Sequence, residues 1–88
     1  MNNQVNVRGR NFSVSTPKTQ KTIVGVTRKF KVTDDNGNHF GDVVVAHVAE
    51  GFTKVKFNDS NQVSGDWKSA PDNSTDSGLV QSAIFENL

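Results

Sequence analysis

Residues 22–48 read TIVGVTRKFKVTDDNGNHFGDVVVAHV, two apolar-rich runs on either side of the polar segment 33–39. Within that segment, Asn36-Gly37 is a favoured pair for a type I′ turn, whose two central residues both need a positive φ. Runs rich in Val, Thr and Phe on either side of such a pair are typical of strands. The stretch therefore predicts a β-hairpin that turns at Asn36 and Gly37.

The register of this hairpin follows from the turn, because a loop of two residues fixes every pair beyond it. The expected pairs are Val32 with Gly41, Phe30 with Val43, Arg28 with Val45 and Val26 with His47. One face then collects the apolar side chains Phe30, Val32, Val43 and Val45. On the other face Lys31 lies opposite Asp42, which predicts a cross-strand ion pair worth about 0.2–1 kcal/mol.

The second strand, residues 40–48, is apolar on both faces. Val43, Val45 and His47 alternate with Phe40, Val44, Ala46 and Val48. A strand that is apolar on both sides is usually central and covered twice. We expect its second face to be covered by the N-terminal strands, by the C-terminal segment or by another copy of the chain.

The flanking sequence extends the hairpin into a central meander over residues 22–57. Ala49-Glu50-Gly51-Phe52 predicts the next turn, and residues 53–57 alternate lysines with core-facing Val55 and Phe57. Before the hairpin, residues 4–8 and 12–15 alternate in the same way, so residues 1–21 are interpreted as an N-terminal arm and edge strands. Pro17 predicts that residues 16–21 form a connection.

The composition agrees with a β-rich fold, since valine occurs thirteen times and leucine twice. Residues 1–88 are predicted to form a single small all-β domain, or a β-rich one with a short C-terminal helix: an antiparallel barrel or sandwich of about five strands. Residues 58–77 read as a long polar loop. Helical spacing at the end predicts a helix capped by Asp76 or Ser77, with a last strand as the alternative; its apolar positions are Leu79, Val80, Ala83, Ile84 and Leu88.

Charge is divided unevenly along the chain. Residues 1–33 carry seven basic side chains and no acid, whereas residues 34–88 carry three lysines and nine acids. This segregation predicts a nucleic-acid-binding module as one function, with Phe12 or Trp67 as a stacking platform. The candidate contacts to nucleic acid or another anionic partner are Arg8, Arg10, Arg28, Lys29 and Lys31.

The leading hypothesis is a non-catalytic module that works by self-association or by docking on a larger assembly. A chain of 88 residues without cysteine builds a thin core and gains stability from partners. Its Val/Thr/Asn-rich strands and charge asymmetry are similar in composition to phage-encoded structural, decoration and accessory proteins. We therefore expect a homo-oligomer or a component of a virion-like assembly, with a protein inhibitor of a host enzyme as a further alternative.

Trp67 stands alone in the polar segment 64–68 and has two interpretations. A buried indole contributes a large apolar area, so the side chain could close one end of the thin core. Tryptophan is also the residue type that dominates protein interfaces, which makes Trp67 a candidate interface anchor.

No pattern in the sequence predicts a metal, a cofactor or an enzyme. Asp34-Asp35-Asn36-Gly37-Asn38 superficially suggests calcium, but an EF-hand alignment puts His39 at the glycine position and Val45 at the bidentate glutamate. We expect His39 and His47 to be held apart on opposite faces of one strand. Residues 1–10 lack the apolar core of a signal peptide and no stretch is long enough to span a bilayer, so we expect a cytoplasmic protein without membrane contact.

Overall fold

The computed structural model describes residues 3–23, 25–48, 51–61 and 63–87. Its elements are β1 (Asn3–Val7), β2 (Arg10–Val14), β3 (Lys18–Thr22), β4 (Gly25–Thr33), β5 (His39–Val48), β6 (Thr53–Asp59) and α1 (Asp76–Glu86). The six strands form one antiparallel sheet. The predicted β-rich fold with a short C-terminal helix is confirmed.

The strands β2 and β3 share one edge of β4 and act as two halves of a bent strand. Val14 pairs with Val32, and Lys18 pairs with Lys29 further along β4. At the bend the Ser15 amide donates to the Lys31 carbonyl at 2.9 Å. The predicted connection over residues 16–21 is therefore wrong, because β3 has no apolar alternation and exists through its backbone bonds to β4.

The central meander runs through β4, β5 and β6, and its predicted register is confirmed from Val32–Gly41 to Val26–His47. The turn itself differs from the prediction. The Gly37 amide donates to the Asp34 carbonyl at 3.1 Å, and Gly37 has a positive φ of 83° whereas Asn36 does not. This is a type I turn followed by a left-handed glycine, which makes the loop one residue longer than a type I′ turn.

A β-bulge at Phe40 compensates for the longer loop. Thr33 pairs with His39 and Val32 with Gly41, so Phe40 has no partner of its own. Its ring turns to the side of the sheet occupied by Phe12 and Phe57, at centroid distances of 4.7 and 5.4 Å. The prediction that Phe40 lies on the face of Val44 and Ala46 is wrong for this reason.

A type I′ geometry does occur in the chain, but between β1 and β2. Arg8 and Gly9 have φ values of 51° and 80°, and Val7 pairs directly with Arg10. Arg8 is the single non-glycine residue with a positive φ among the described residues. The two-residue loop fixes the β1–β2 register, in which Val5 lies opposite Phe12.

The core lies between α1 and one side of the sheet, which we call the inner face. The buried side chains that form it are Val7, Phe12, Val14, Phe30, Val32, Val43, Val45, Val55, Val80 and Ile84. The predicted apolar face of the hairpin is thus confirmed as part of the core. Helix α1 contacts both outermost strands of the sheet, β1 and β6. The opposite side of the sheet is called the outer face below.

The helix begins with Thr75 as its N-cap, since the Thr75 hydroxyl accepts from the Gly78 amide at 3.0 Å. The predicted helix is confirmed, but the predicted caps, Asp76 and Ser77, are its first two residues. Residues 60–75 connect β6 to α1 and return to β6 through backbone pairing of Lys68 with Val55.

The turn between β5 and β6 is confirmed by the bond from the Val48 amide to the Phe52 carbonyl at 3.0 Å. Within that predicted turn, Ala49 and Glu50 lie outside the described residues, as does Leu88 at the end of the predicted helix. The described part of the chain contains no helix with the length and apolar character needed to cross a bilayer.

Candidate functional site

The five cations predicted to contact an anionic partner do not form one cluster. Arg8 and Arg10 lie at the β1–β2 turn beside the start of α1, whereas Lys29 and Lys31 project from the outer face of β4. Arg28 alternates with them and lies on the inner side, opposite Val45. Of the five, Lys29 and Lys31 therefore lie together on the outer face, whereas Arg8 and Arg10 lie together beside the helix.

Arg8 and Arg10 hold the helix against the sheet. Their guanidinium nitrogens lie 3.3 and 3.4 Å from the two carboxylate oxygens of Asp76. Arg8 also donates to the Ser74 carbonyl at 3.2 Å, and Arg10 lies 4.9 Å from the centroid of the Phe12 ring. Asp76 occupies the first turn of α1, where a negative charge also interacts favourably with the helix dipole. Both arginines therefore have a structural role, since they link the β1–β2 turn to the start of α1.

The outer face of β3 to β6 carries five lysines. They are Lys18, Lys29, Lys31, Lys54 and Lys56. The register aligns three of them in one row across the strands, with Lys18 beside Lys29, Lys29 beside Val44 and Val44 beside Lys56. We call these five side chains the lysine face.

Three members of the lysine face, Lys18, Lys54 and Lys56, were not among the cations predicted from the sequence. Lys18 fell in a segment predicted to be a connection, and β3 brings it beside Lys29. Lys54 and Lys56 were predicted to face water, but their distance from Lys29 depends on the pairing of β6 with β5. Extending the hairpin register by one more strand would have shown that these lysines share a side with Lys29.

One carboxylate lies among these lysines in the described strands. Asp42 is 3.6 Å from the Lys29 ammonium and 3.1 Å from the His39 imidazole, so its charge is already partnered. The predicted ion pair with Lys31, its direct cross-strand neighbour, is replaced by this diagonal contact to Lys29. The lysine face consequently has a strong excess of positive charge.

The acids of the described chain lie mainly away from the lysine face. Asp76 and Glu86 belong to α1, on the inner side of the sheet, and Asp66 and Asp72 line a cleft beside the helix. The carboxylate of Asp34 bonds within its own loop, where it accepts from the backbone amides of Asn36 and Asn38 at 2.9 Å. The outer face is therefore the more positive side of the sheet, although Arg8, Arg10 and Arg28 do not lie on it.

Trp67 borders the lysine face at the open side of β6. Two backbone bonds between Lys68 and Val55, at 2.8 and 2.9 Å, hold this segment beside the strand. The Lys56 ammonium lies 4.7 Å from the centroid of the indole, and the side chain remains 42% exposed. Trp67 therefore does not close the core, which leaves its interpretation as an exposed contact residue.

A shallow cavity of about 430 Å³ runs from Trp67 across the strands to Lys18. Its floor includes Val44, and its walls include Lys29 and Lys56. Val44 and Ala46 are only 9% and 8% exposed although no other described helix or strand lies on this side. Long side chains such as lysine can cover apolar neighbours with their aliphatic stems, and the register places Lys29 and Lys56 on either side of Val44. Val44 and Ala46 are thus buried without a further described helix or strand over them.

The two histidines lie on opposite faces, as expected. His39 contacts Asp42 on the outer face, whereas the Nδ1 atom of His47 lies 3.2 Å from the Thr53 hydroxyl on the other side. Strict alternation along β5 would put both rings on the same side, and the bulge at Phe40 separates them. No group of three potential ligands converges among the described His, Asp and Glu residues.

Hydrogen bonds from Ser74 lower the pKa of one carboxyl group near the helix, that of Asp72. The Ser74 amide and then the Ser74 hydroxyl, at 3.0 and 2.7 Å, donate to Asp72 and hold its pKa below the ordinary value. Hydrogen bonds to a carboxylate favour its charged form, which lowers the pKa of Asp72. The same two bonds link Asp72 to Ser74 in the loop before α1.

Comparison of the chain with protein-family models, with curated proteins and with solved structures finds no match in any of the three.

Proposed function

We propose that this protein is a non-catalytic β module that docks on a larger assembly through the lysine face, and that the component it contacts there is nucleic acid. The observation that carries the proposal is five lysines on one side of the sheet with a single, already paired carboxylate among them in the strands that the structure describes. A polyanion gains from such a surface by releasing the counterions condensed along it.

The shape of the lysine face favours a single strand over a duplex. The surface is a shallow trough across the strands, with an aromatic side chain at one border. Trp67 offers the exposed part of its ring to a base, while the lysine row from Lys56 to Lys18 follows the phosphates. Stacking on a tryptophan contributes about 1–3 kcal/mol per base and tolerates any sequence. We therefore expect single-stranded DNA or RNA to bind with little sequence preference.

This proposal replaces the residue set suggested by the sequence. Arg8 and Arg10 form ion pairs with Asp76, and Arg28 lies on the other side of the sheet. Lys29 and Lys31 keep their proposed role and are joined by the other lysines of the lysine face. Membership of a virion and inhibition of a host enzyme stay predictions.

Fluorescence anisotropy of a labelled polythymidylate or polyuridylate oligonucleotide, titrated at several salt concentrations, tests the proposal. If all five lysines contact phosphates, the logarithm of the binding constant falls with the logarithm of salt with a slope of about −3.5. Raising salt from about 50 to 200 mM should then weaken binding about a hundredfold.

The double variant Lys31→Glu/Lys56→Glu should weaken binding at least tenfold and reduce the slope to about −2. The matched control is Lys21→Glu/Lys68→Glu, which makes the same change of charge outside the lysine face and should retain most of the binding. Absence of binding at low salt, or equal losses in the two double variants, would show that the lysine face is not a nucleic-acid site.

A further inference from the structure

The strand β1 ends the sheet on one side with backbone groups that point away from it. Its two-residue turn makes Val7 and Arg10 a hydrogen-bonded pair, and such pairs alternate along an antiparallel ladder. The backbone groups of Val5 and Val7 therefore face β2, whereas those of Gln4 and Asn6 face outward. No turn, loop or cap bond of the described residues uses the backbone of Gln4 or Asn6, and both residues are exposed.

This edge differs from the other edges of the sheet because no charged side chain, proline or covering strand protects it among the described residues. Native sheets discourage further pairing with charged side chains, prolines or covering segments. The outer edge of β3 carries Lys18 and Lys21 and follows Pro17, and the backbone of Lys68 pairs with the open side of β6. The sequence of β1, NQVNV, has no charge and no proline. It is the edge best suited to accept another strand.

We propose that β1 is the interface between two copies of this chain, which pair antiparallel about a two-fold axis passing through Val5. In that register Gln4 lies opposite Asn6 of the second copy, and Asn6 lies opposite its Gln4. All four outward-facing backbone groups of Gln4 and Asn6 in each copy are then satisfied. Val5, which is half-buried and packs on the core, meets Val5 of the second copy on the inner face.

A second copy fits this edge because β1 is complementary to itself under that rotation. An isologous contact needs each pairing to occur twice, and the pairing of Gln4 with Asn6 meets that condition. The opposing side chains are neutral amides, which can hydrogen bond across the strands and do not repel. The two sheets become one, and the two lysine faces point to the same side.

The expected dimer is weak. Pairing of one five-residue strand buries far less than the roughly 1,200 Å² typical of a stable interface. We therefore expect the monomer to dominate when dilute and the dimer to appear at high concentration or when two chains meet on a common partner. The inference stands apart from nucleic-acid binding, since it concerns the free protein.

Sedimentation equilibrium over a wide concentration series is the test, with charge pairs designed from the register. Gln4→Lys/Asn6→Lys places lysines opposite each other in the dimer and should weaken association at least tenfold. Gln4→Lys/Asn6→Glu places each lysine opposite a glutamate and should restore the parent's association or exceed it. Circular dichroism of each variant checks that the fold is intact.

The matched control is Thr19→Lys/Gln20→Lys, which adds the same two charges on β3 and should associate as the parent does. A parent that stays monomeric throughout the concentration range would overturn the proposal. So would a dimer that the Lys/Lys variant leaves unchanged, or one that the Lys/Glu variant fails to restore, because each result would place the interface elsewhere.

Discussion

Replacement of Gly78 by alanine sets helix propensity against packing. Gly78 lies in the first turn of α1, and alanine is favoured over glycine inside a helix by about 1 kcal/mol. A Cβ atom at this position would overlap the carbonyl oxygen of Asp72 and approach the Thr75 hydroxyl to 2.9 Å. The overlapping atom belongs to the backbone, so a side-chain rotation cannot relieve the contact.

The size of the destabilisation depends on how far the loop at Asp72 must move to make room for the new methyl group. Separating Asp72 from the helix displaces the loop that carries the N-cap, and loss of a threonine cap costs about 1 kcal/mol. Overpacking of a fixed site costs about 1–3 kcal/mol, which exceeds the gain in propensity. We expect Gly78→Ala to lower the free energy of unfolding by about 1–3 kcal/mol, with a fall in the melting temperature of about 4–8 °C per kcal/mol.

Thermal and urea unfolding monitored by circular dichroism measure this change. The control is Ala83→Gly in the same helix, which removes a methyl group without a clash and should destabilise through propensity and lost packing. If Gly78→Ala raises the melting temperature or the urea midpoint, the close approach of the Asp72 carbonyl does not constrain the site and the reasoning fails.

Three further predictions follow from the contacts around the helix and in the core. Asp76→Asn should destabilise the protein by about 0.5–1 kcal/mol at low salt, and a double-mutant cycle with Arg10→Met should show a coupling that salt reduces; a salt-independent loss would contradict the ion pair. An NMR titration of Asp72 should give a pKa below the ordinary value, and Ser74→Ala should raise it. Because the folded-state pKa is lowered, the stabilisation is present above the pKa of the unfolded chain and is lost as pH falls through the folded-state value. Phe12 is fully buried, so Phe12→Ala should lower the free energy of unfolding by about 3–5 kcal/mol, and Phe12→Leu should lower it much less. Urea unfolding measures both changes, and similar losses in the two variants would argue against a packed ring.

The local pattern was sufficient to predict the elements that bury an apolar face. Alternation of apolar and polar residues predicted β1, β2, β4, β5 and β6, and helical spacing predicted α1. It could not predict β3, because its sequence KTQKT is exposed throughout and has no apolar alternation. That strand is stabilised by backbone bonds to β4, which depend on how the neighbouring segment bends.

The candidate site was less predictable because it is made of residues from four strands. The sequence indicated basic residues and offered both a core role and an exposed role for Trp67, but it could not tell which cations share a side. Arg8 and Arg10 bind Asp76, which is far away in sequence and adjacent only after α1 packs on the sheet. Lys18 and Lys56 approach the same trough through separate strand pairings.

The sequence by itself indicated the register of the central hairpin, because a slip of one residue would move the apolar side chains of one strand to the opposite face. Only the tertiary structure decided how that register is reached: a three-residue loop ending at Gly37, compensated by the bulge at Phe40. A bulge reverses the side on which the next residue lies, so Phe40 packs with Phe12 and Phe57 while His39 faces outward. The physical reason is that burial depends on which face a side chain occupies, and one unpaired residue changes that face without changing the sequence pattern.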